Sequence, residues 1–478
     1  MRTQLCLTRA GLMLAFAAIL TLIPCATFGA DSTKVFKAGA AVVETTPQQL
    51  PVKCNGGFVP RMVDKVNDPL FVRALVMDDG TERMAFAVID ACGMDAKMRD
   101  EIAVELEQSI GIKKDHIAIS STHCHSAPAL TLILGCGPDE NYYPFAKAKI
   151  KEAITKANAN LQPAKVAWGV ASEPTNVFCR RWLLKPGTTR MKVPNAFTGS
   201  KGDIAQMNPG FNNPNAIVPT GVPDPRVTVL SLRSMDDKPL ALIGNYSTHY
   251  AGAPNLSSDY FGVFCRRIGE LLGAGPNFVA LMTNGTSGDC NCVDVENPDR
   301  KYTKDTVAED VAQAALKACQ SMTYANWVPL KMEQSDLTLN IRKPDAKSVA
   351  EAKAYIAEKK LTAPKNMVDH YAIDTVLLAD AAPTKTIKIQ AIRVGDLGIT
   401  TIPCEVYSLT GRSIKVYSPL KTTFVVSMAN GYNGYIPTPE QFEFGGYNTW
   451  RCRSCCLEVN AETKIRAEAL RLLDNVAK

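Results

Sequence analysis

The sequence predicts an α/β protein, because short apolar segments typical of strands alternate along it with longer amphipathic segments typical of helices. An Asp79-Gly80 turn joins two of the apolar segments, as in a β-hairpin. The sequence contains no internal repeat, heptad pattern or low-complexity tract. It also lacks a convincing interdomain linker, so we expect one continuous domain from about Asp31 to Lys478.

Each predicted element follows from its own pattern. Residues 38–46 have the composition of a strand, and residues 69–91 predict two strands around the Asp79-Gly80 turn. Residues 94–111 are amphipathic and end at a glycine, which predicts a helix. The other predicted strands are 116–120, 226–234, 239–247, 277–283, a hairpin at 386–403, and 422–430; the other predicted helices are 145–161, 260–273, 305–322, 348–361, 368–382, 407–418 and 462–477.

One long segment, Asn176 to Pro225, departs from the alternation. It is rich in Pro, Gly and Asn and has little periodicity. Loops of such length in a compact domain are usually functional or disordered. We therefore expect this segment to form a loop over the functional site.

The first thirty residues have the features of a secretory signal peptide. Arg2 and Arg9 precede an apolar run, and small residues follow it. The run is too short for a comfortable membrane span, and no later segment is long enough for one. We expect a signal peptide at 1–30, a mature chain at 31–478 without a stable membrane span, and a secreted or periplasmic location.

Charge and cysteine content restrict the partners and the redox setting. The formal net charge is +6, and the basic residues are scattered, so no nucleic-acid partner is predicted. Cys6 and Cys25 lie in the predicted signal peptide, which leaves an odd number of the 15 cysteines. Export makes disulfides plausible, with a structural zinc site and ordinary buried thiols as the alternatives. The natural candidates for disulfide bonds are Cys290, Cys292, Cys452, Cys455 and Cys456, and the last three are the cluster to which the zinc alternative applies.

Polar side chains directly follow five of the apolar strands. His123 and His125 follow residues 116–120, His249 follows 239–247, and Glu405 follows the hairpin. Ligands of open α/β sheets bind beyond the carboxyl ends of strands, so these residues are expected to converge on one pocket. Two histidines and a carboxylate form a zinc set that leaves a position open for water or substrate. The alternative is that the histidines are hydrogen-bonded structural residues, which is how we interpret His116 and His370. The other two strands lead to Asn284, Ser287, Gly288 and Asp289, and to Tyr432 and Tyr435.

The segment TNGTSGDC, residues 283–290, raises the possibility of a nucleophile. It does not match the G-x-S-x-G elbow, because Asp289 stands at the last glycine position. A glycine-rich turn that binds a polar group and a catalytic role for Ser287 or Thr286 both remain open.

Seven blocks of the sequence resemble the neutral/alkaline (non-lysosomal) ceramidase family in order and spacing. The blocks are KAGAAVVETTP, DPLFVRALVMDDG, STHCHSAPA, GNYSTHY, NGTSGDCN, PCEVYSLTGRSIK and NGYNGYIPT. The resemblance covers nearly the whole predicted mature chain and implies layered mixed β-sheets flanked by helices. It suggests a shorter bacterial relative consisting of a single large catalytic domain.

The resemblance also implies a set of site residues. Those enzymes use one Zn²⁺ to cleave the amide of ceramide, which implies a lipid-like or small acylated substrate and a role in sphingolipid metabolism. His125 would lie near the reacting carbonyl, Tyr447 would stabilise the oxyanion, and Arg180 or Arg181 would line the site. The implied zinc ligands are His123, His249, Glu405 and Tyr435.

The chain departs from the family at one catalytic position. The family has Gly-Asp-Val-Ser-Pro-Asn, whose serine is essential, and Asn291 stands at the position of that serine. An amide side chain does not act as a nucleophile as a hydroxyl does. Ala127 also replaces a glycine of the histidine block.

The leading hypothesis is an exported zinc-dependent amidohydrolase that uses zinc-activated water on an N-acyl, ceramide-like or related acyl bond. The alternative is a metal- or lipid-binding relative that has lost turnover, which Asn291 favours. A third hypothesis, a serine hydrolase using Ser287 and His249, is the least supported, because no acid follows in a recognisable arrangement.

Overall fold

The computed structural model describes residues 34–478, so the predicted signal peptide lies outside the described residues. Val35–Lys478 form one compact unit. The strands are β1 (Lys37–Glu44), β2 (Val52–Cys54), β3 (Arg61–Val63), β4 (Phe71–Asp78), β5 (Arg83–Ile89), β6 (Ile117–Ser121), β7 (Gln162–Ser172), β8 (Phe178–Cys179), β9 (Arg181–Leu184), β10 (Ala205–Met207), β11 (Ala216–Pro219), β12 (Arg226–Ser234), β13 (Pro239–Tyr246), β14 (Val279–Asn284), β15 (Cys290–Asn291), β16 (Leu330–Asn340), β17 (Thr384–Val394), β18 (Leu397–Ile402), β19 (Glu405–Val406), β20 (Thr422–Ser427) and β21 (Tyr435–Ile436). The helices are α1 (Ala96–Ile110), α2 (Tyr142–Ala159), α3 (Asn195–Thr198), α4 (Asp259–Leu271), α5 (Lys304–Gln320), α6 (Ala346–Lys359), α7 (Met367–Asp380), α8 (Ser408–Tyr417) and α9 (Ala461–Ala477).

Two mixed β-sheets form the centre of the fold. The larger has eight strands in the order β14-β13-β12-β7-β1-β4-β5-β6, in which β13–β14 and β5–β6 are parallel pairs. The smaller has four strands in the order β16-β17-β18-β20, in which β18 and β20 are parallel. The parallel pairs matter for function because each brings two strand carboxyl ends to the same edge.

The two sheets pack face to face, and helices cover their outer faces. Successive side chains of a strand point to opposite faces, and β4 shows the result. Leu75 and Met77 pack into the core shared with the smaller sheet, whereas Val72, Ala74 and Val76 pack towards α1 and α2. Helices α4 and α5 cover the other half of the larger sheet, and α8 and α9 cover the smaller one. The result is a layered α/β domain, as the sequence predicts.

Local capping explains where individual helices begin and end. At the start of α1, the Asp95 carboxylate accepts a hydrogen bond from the Met98 backbone N–H at 2.7 Å. At its end, Gly111 adopts a left-handed conformation with φ of 71°. Along residues 34–478, no helix is both long and apolar enough to cross a bilayer.

The predicted strands and helices outside the Asn176–Pro225 segment are confirmed, but the prediction of that segment as a loop is wrong. It contains β8 to β11 and the short helix α3, with β9 pairing between β10 and β11. Their strands are two to four residues long, too short to show alternation. The sequence also gave no sign of β16, an edge strand whose mixed, half-exposed side chains hide the pattern.

Hydrogen bonds join the ends of the two sheets. The Asn430 backbone N–H donates to Ile119 O at 2.7 Å, and the Ile119 N–H donates to Asn430 Oδ1 at 3.0 Å. Strand β6 of the larger sheet therefore ends beside β20 of the smaller one. The polar residues after these strands meet at this seam.

Candidate metal centre

His123 follows β6 and is fixed by an unusual backbone conformation. Its φ of 67° lies in the left-handed region that favours glycine, and a histidine there costs on the order of 1 kcal/mol. The imidazole Nδ1 lies 2.6 Å from Cys92 O. A carbonyl only accepts hydrogen bonds, so Nδ1 carries the proton and the lone pair of Nε2 is free.

His249 follows β13 and is oriented in the same way. Its Nδ1 lies 3.3 Å from Ser287 O and 3.4 Å from Ser287 Oγ, while that hydroxyl donates to Asn284 Oδ1 at 2.7 Å. Nε2 again presents a lone pair. Burial, and next the Arg180 guanidinium, lower the pKa of His249 well below its ordinary value, so its ring is neutral.

Glu405 lies in β19, directly beside Tyr435 in the parallel pair that β19 forms with β21. Its Oε1 accepts a hydrogen bond from the Tyr432 hydroxyl at 2.8 Å. Its Oε2 is buried without a hydrogen-bond donor among the described residues, and lies 3.5 Å from His123 Nε2. Burial acts to raise the pKa of Glu405, but the net direction is downward, with the Arg180 charge and the Tyr432 hydrogen bond among the groups that lower it.

These three side chains fit a divalent cation. The Nε2 atoms of His123 and His249 lie 3.0 Å apart, and two lone pairs that face each other at this distance repel. Ligand atoms of His123, His249 and Glu405 all lie within 4.8 Å of one another, and all three residues are buried. Two imidazole nitrogens and an otherwise unpartnered carboxylate oxygen are a donor set suited to a transition metal.

Arg180, rather than Arg181, lies at this centre. The Arg180 guanidinium is buried, lies 4.0 Å from Glu405 Oε2, and donates to Gly288 O at 2.9 Å and to the Tyr435 hydroxyl at 3.3 Å. Arg181 instead donates to Gln441, Asn448 and Gly445, so it fastens the chain after β21. The choice that the sequence left open is thereby resolved in favour of Arg180 as the neighbour of Glu405.

The two tyrosines singled out by the sequence lie next to each other. The hydroxyls of Tyr435 and Tyr447 are 3.5 Å apart. Tyr435 is buried, and Tyr447 is half-buried with its ring edge-on to Phe58 at 5.9 Å between ring centroids. Burial raises the pKa of Tyr435 well above its ordinary value, so its hydroxyl keeps its proton in the absence of a metal.

His125 faces the same centre from a more open position. Its Nε2 lies 3.3 Å from His123 Nε2, and its ring stacks on Tyr250 at 3.9 Å between centroids. Arg61 donates to the His125 carbonyl at 2.8 Å. A cavity of about 330 Å³ lies over His125, between the 54–59 segment and Tyr250. His125 is therefore the residue of the centre that an approaching small molecule meets.

The side-chain amide of Asn291 is engaged by hydrogen bonds to residues other than the histidines. Its Nδ2 donates to Asn208 Oδ1 at 3.0 Å, and its Oδ1 accepts from the Val293 N–H at 3.0 Å. The amide thus closes a turn. Ser287 supports His249 through its carbonyl, and its own hydroxyl proton goes to Asn284, which argues against its use as a nucleophile.

The remaining histidines and the cysteines test the other interpretations made from the sequence. His116 contacts Glu82 and Asp115, as expected of a structural residue. His370 forms a second buried group with Asp374 and Cys452, but Asp374 is already paired with Arg453 at 2.8 Å. All thirteen cysteines of residues 34–478 are free thiols in this structure.

Sequence reasoning missed the groups that orient the ligands. Tyr432 was expected near the pocket without a role, and it holds Glu405. The Cys92 carbonyl and the Tyr250 ring, which position His123 and His125, carried no local signal at all. These groups reach the site through tertiary contacts, so no local sequence motif predicts them.

Comparison with known proteins agrees with the fold and with the part of the resemblance that lies within residues 64–177. A family model described as neutral/alkaline non-lysosomal ceramidase, N-terminal, matches residues 64–177, a segment that includes His123 and His125. The neutral ceramidase of Pseudomonas aeruginosa superimposes with a TM-score of 0.67 at 14% identity, over 93% of this chain and 75% of that one. A ceramidase complexed with C2 gives a TM-score of 0.64 at 12% identity, over 92% of this chain and 75% of that one. The chain therefore shares its fold with these two ceramidase structures, and its residues 64–177 match the model of the neutral/alkaline ceramidase family.

Proposed function

We propose that this chain is an exported zinc-dependent hydrolase that cleaves an amide, N-acyl and ceramide-like, or a related acyl bond. The observation that carries the proposal is the 3.0 Å approach of the His123 and His249 Nε2 atoms beside a buried carboxylate oxygen that has no hydrogen-bond donor among residues 34–478. The match of residues 64–177 to the ceramidase family model and the shared fold support the hydrolytic chemistry and the lipid-like substrate. In this proposal His123, His249 and Glu405 hold the ion, and Tyr435 provides a fourth ligand.

A bound Zn²⁺ would supply Lewis acidity and lower the pKa of a coordinated water towards about 7. The residues of the chain bind and orient the substrate around it. His125 lines the cavity, so we assign it to contact the scissile carbonyl, with the Tyr447 hydroxyl as a second donor to the developing oxyanion. Arg180 balances the charge of Glu405 and positions the Tyr435 hydroxyl.

Water is the attacking group in this proposal. The Asn291 amide is engaged at both ends and has no hydroxyl, so it takes no part as a nucleophile. Hydrolysis adds the water oxygen to the carbonyl carbon, breaks the carbon–nitrogen bond and releases the amine with the proton from that water. Asn291 then serves as a structural residue at the edge of the site.

Metal content and turnover together test the proposal. The purified protein is expected to contain about one zinc per chain, and His123→Ala and Glu405→Ala should lose both metal and amide hydrolysis. His116→Gln is the matched control, because His116 is also buried and its ring contacts Glu82 and Asp115 rather than the candidate metal ligands. A metal-free protein with full activity would refute the proposal.

A second candidate function rests on Asn291 alone. If loss of the serine abolished turnover, the chain would be a metal- or lipid-binding protein without catalysis. N-acyl amides, acylated amino sugars and esters, assayed with and without chelator, separate the two. Chelator-sensitive turnover of any of them favours the hydrolase, and its absence across the panel with zinc still bound favours the binding protein.

A further inference from the structure

Two cysteines lie opposite each other in the two-stranded sheet of β8 and β15, near the candidate metal centre. Strands β8 and β15 are antiparallel, and their register pairs Cys179 with Cys290 and Phe178 with Asn291. Residues that are directly opposite in such a pair project from the same face of the sheet. The cysteines adjoin Arg180 in one strand and Asn291 in the other.

The backbone hydrogen bonds show which kind of pair this is. The Cys290 N–H donates to Ser287 O at 3.1 Å, and Cys179 O accepts from Trp182 Nε1 at 3.0 Å, so the two residues do not exchange these groups. The next pair does bond, because the Arg180 N–H donates to Asp289 O at 2.9 Å. Hydrogen-bonded and non-hydrogen-bonded pairs alternate along an antiparallel ladder, so Cys179 and Cys290 form a non-hydrogen-bonded pair. Their expected Cα separation is about 4.5 Å, within the range of about 4.4–6.8 Å that disulfides span.

The other candidate pairs have less favourable geometry. Cys452 and Cys455 exchange both backbone hydrogen bonds, at 3.4 and 2.8 Å, which is the wider kind of pair. The sulfurs of both pairs contact other groups, Cys179 Sγ lying 3.2 Å from Arg181 O and Cys290 Sγ 3.7 Å from Asp289 Oδ1, so the backbone spacing is what distinguishes them. Cys292 lies two residues beyond Cys290, and its sulfur points towards Tyr250 O at 4.0 Å.

We propose that Cys179 and Cys290 form an intramolecular disulfide when the chain folds with a disulfide oxidant such as oxidised glutathione. Thiol–disulfide exchange forms the sulfur–sulfur bond between the two cysteines, and the oxidant takes up their two electrons and two protons to become two thiols. The bond ties β8 to β15 and so fixes Arg180 beside Glu405.

The surroundings of the two thiols determine when the bond forms. Both residues are buried, and burial raises the pKa of Cys179 to about 11 and that of Cys290 well above its ordinary value. Thiolate is the reacting species, so exchange is slow in the folded protein. The bond therefore forms during folding and is afterwards protected from reductants, whereas protein folded under reducing conditions keeps both thiols.

Refolding in a buffer of oxidised and reduced glutathione tests the inference. After alkylation of free thiols, trypsin places Cys179 in peptide 166–180, and Cys290 with Cys292 in peptide 268–300. We expect these two peptides to be cross-linked in wild type and in Cys292→Ser, and separate in Cys290→Ser. Dithiothreitol present during unfolding should lower the Tm of oxidised wild type and Cys292→Ser, but not that of Cys290→Ser.

Specific outcomes overturn the inference. If peptide 166–180 of wild type is alkylated at Cys179 after oxidative refolding, the inference is overturned. Loss of the cross-link in Cys292→Ser would overturn it as well. If Cys290→Ser fails to fold, the digests of wild type and Cys292→Ser still test the inference. In Cys292→Ser, a cross-link between the two peptides can come only from a bond to Cys290. The experiment needs neither zinc nor turnover, so its result is independent of the proposed function.

Discussion

Replacing Tyr432 by phenylalanine tests how the candidate metal ligand Glu405 is held. The Tyr432 hydroxyl donates to Glu405 Oε1 at 2.8 Å, which leaves Oε2 directed at His123. Without this donor the carboxylate is free to rotate and has to be ordered when metal binds. A hydrogen bond to a charged group contributes about 1.5–3 kcal/mol, and each 1.4 kcal/mol is tenfold in affinity. We therefore expect Tyr432→Phe to weaken zinc binding about 10- to 100-fold, the range typical of residues that support metal ligands.

Competition with a chromophoric chelator at neutral pH measures this change, and thermal unfolding confirms that the variant folds. Tyr407→Phe is the matched control, because Tyr407 is also buried but its hydroxyl has no hydrogen-bond partner among residues 34–478. It should bind zinc as wild type does. Equal zinc affinity of wild type and Tyr432→Phe would refute the reasoning, as would equal weakening in both variants.

Three further predictions test other parts of the structure. His125→Ala should keep its zinc within a few-fold by metal analysis, yet lose about 10²–10⁴-fold in amide turnover, because we assign it to the substrate. Asn291→Ala should leave zinc content unchanged and lower the free energy of unfolding in urea by about 1 kcal/mol, since its bonds are structural. Burial acts to raise the pKa of Asp224, but Lys415 and Arg226 outweigh it and lower the pKa. This stabilisation is complete above about pH 4 and is lost as the pH falls through the lowered folded value. Asp224→Asn should therefore cost about 3 kcal/mol at pH 7, and its deficit against wild type should narrow below about pH 4 in denaturant titrations; a constant deficit would contradict the assignment.

The sequence predicts those parts of the fold whose patterns are long enough to be periodic. The hairpin at 386–403 and the helices on both sides have clear patterns, and their elements form where expected. The convergence of His123, His249 and Glu405 was expected from their positions after strands. Glu405 lies in β19, which follows strand β18 of the second sheet, so the pocket draws on the ends of strands from both sheets.

The remaining features depend on contacts that only the folded chain makes. Arg180 and Arg181 are neighbours of the same residue type. Their side chains point in different directions in the folded chain, so Arg180 lies beside Glu405 and Arg181 has a structural role. Cys290 was named among the candidate cysteines without a partner, and the register places Cys179, far away in sequence, opposite it. Short strands such as β8 and β15 are set by pairing partners rather than by their own composition.

The position of the candidate centre at the seam has a consequence for the motions of the domain. His123 and His249 follow strands of the larger sheet, and Glu405 follows a strand of the smaller one. An ion held between them would cross-link the two sheets, which are otherwise joined by side-chain packing and a few backbone hydrogen bonds. Removing it should let the layers separate locally, so amide hydrogens at Ile119 and Asn430 should exchange faster with deuterium in chelator-treated protein while those inside α5 stay unchanged.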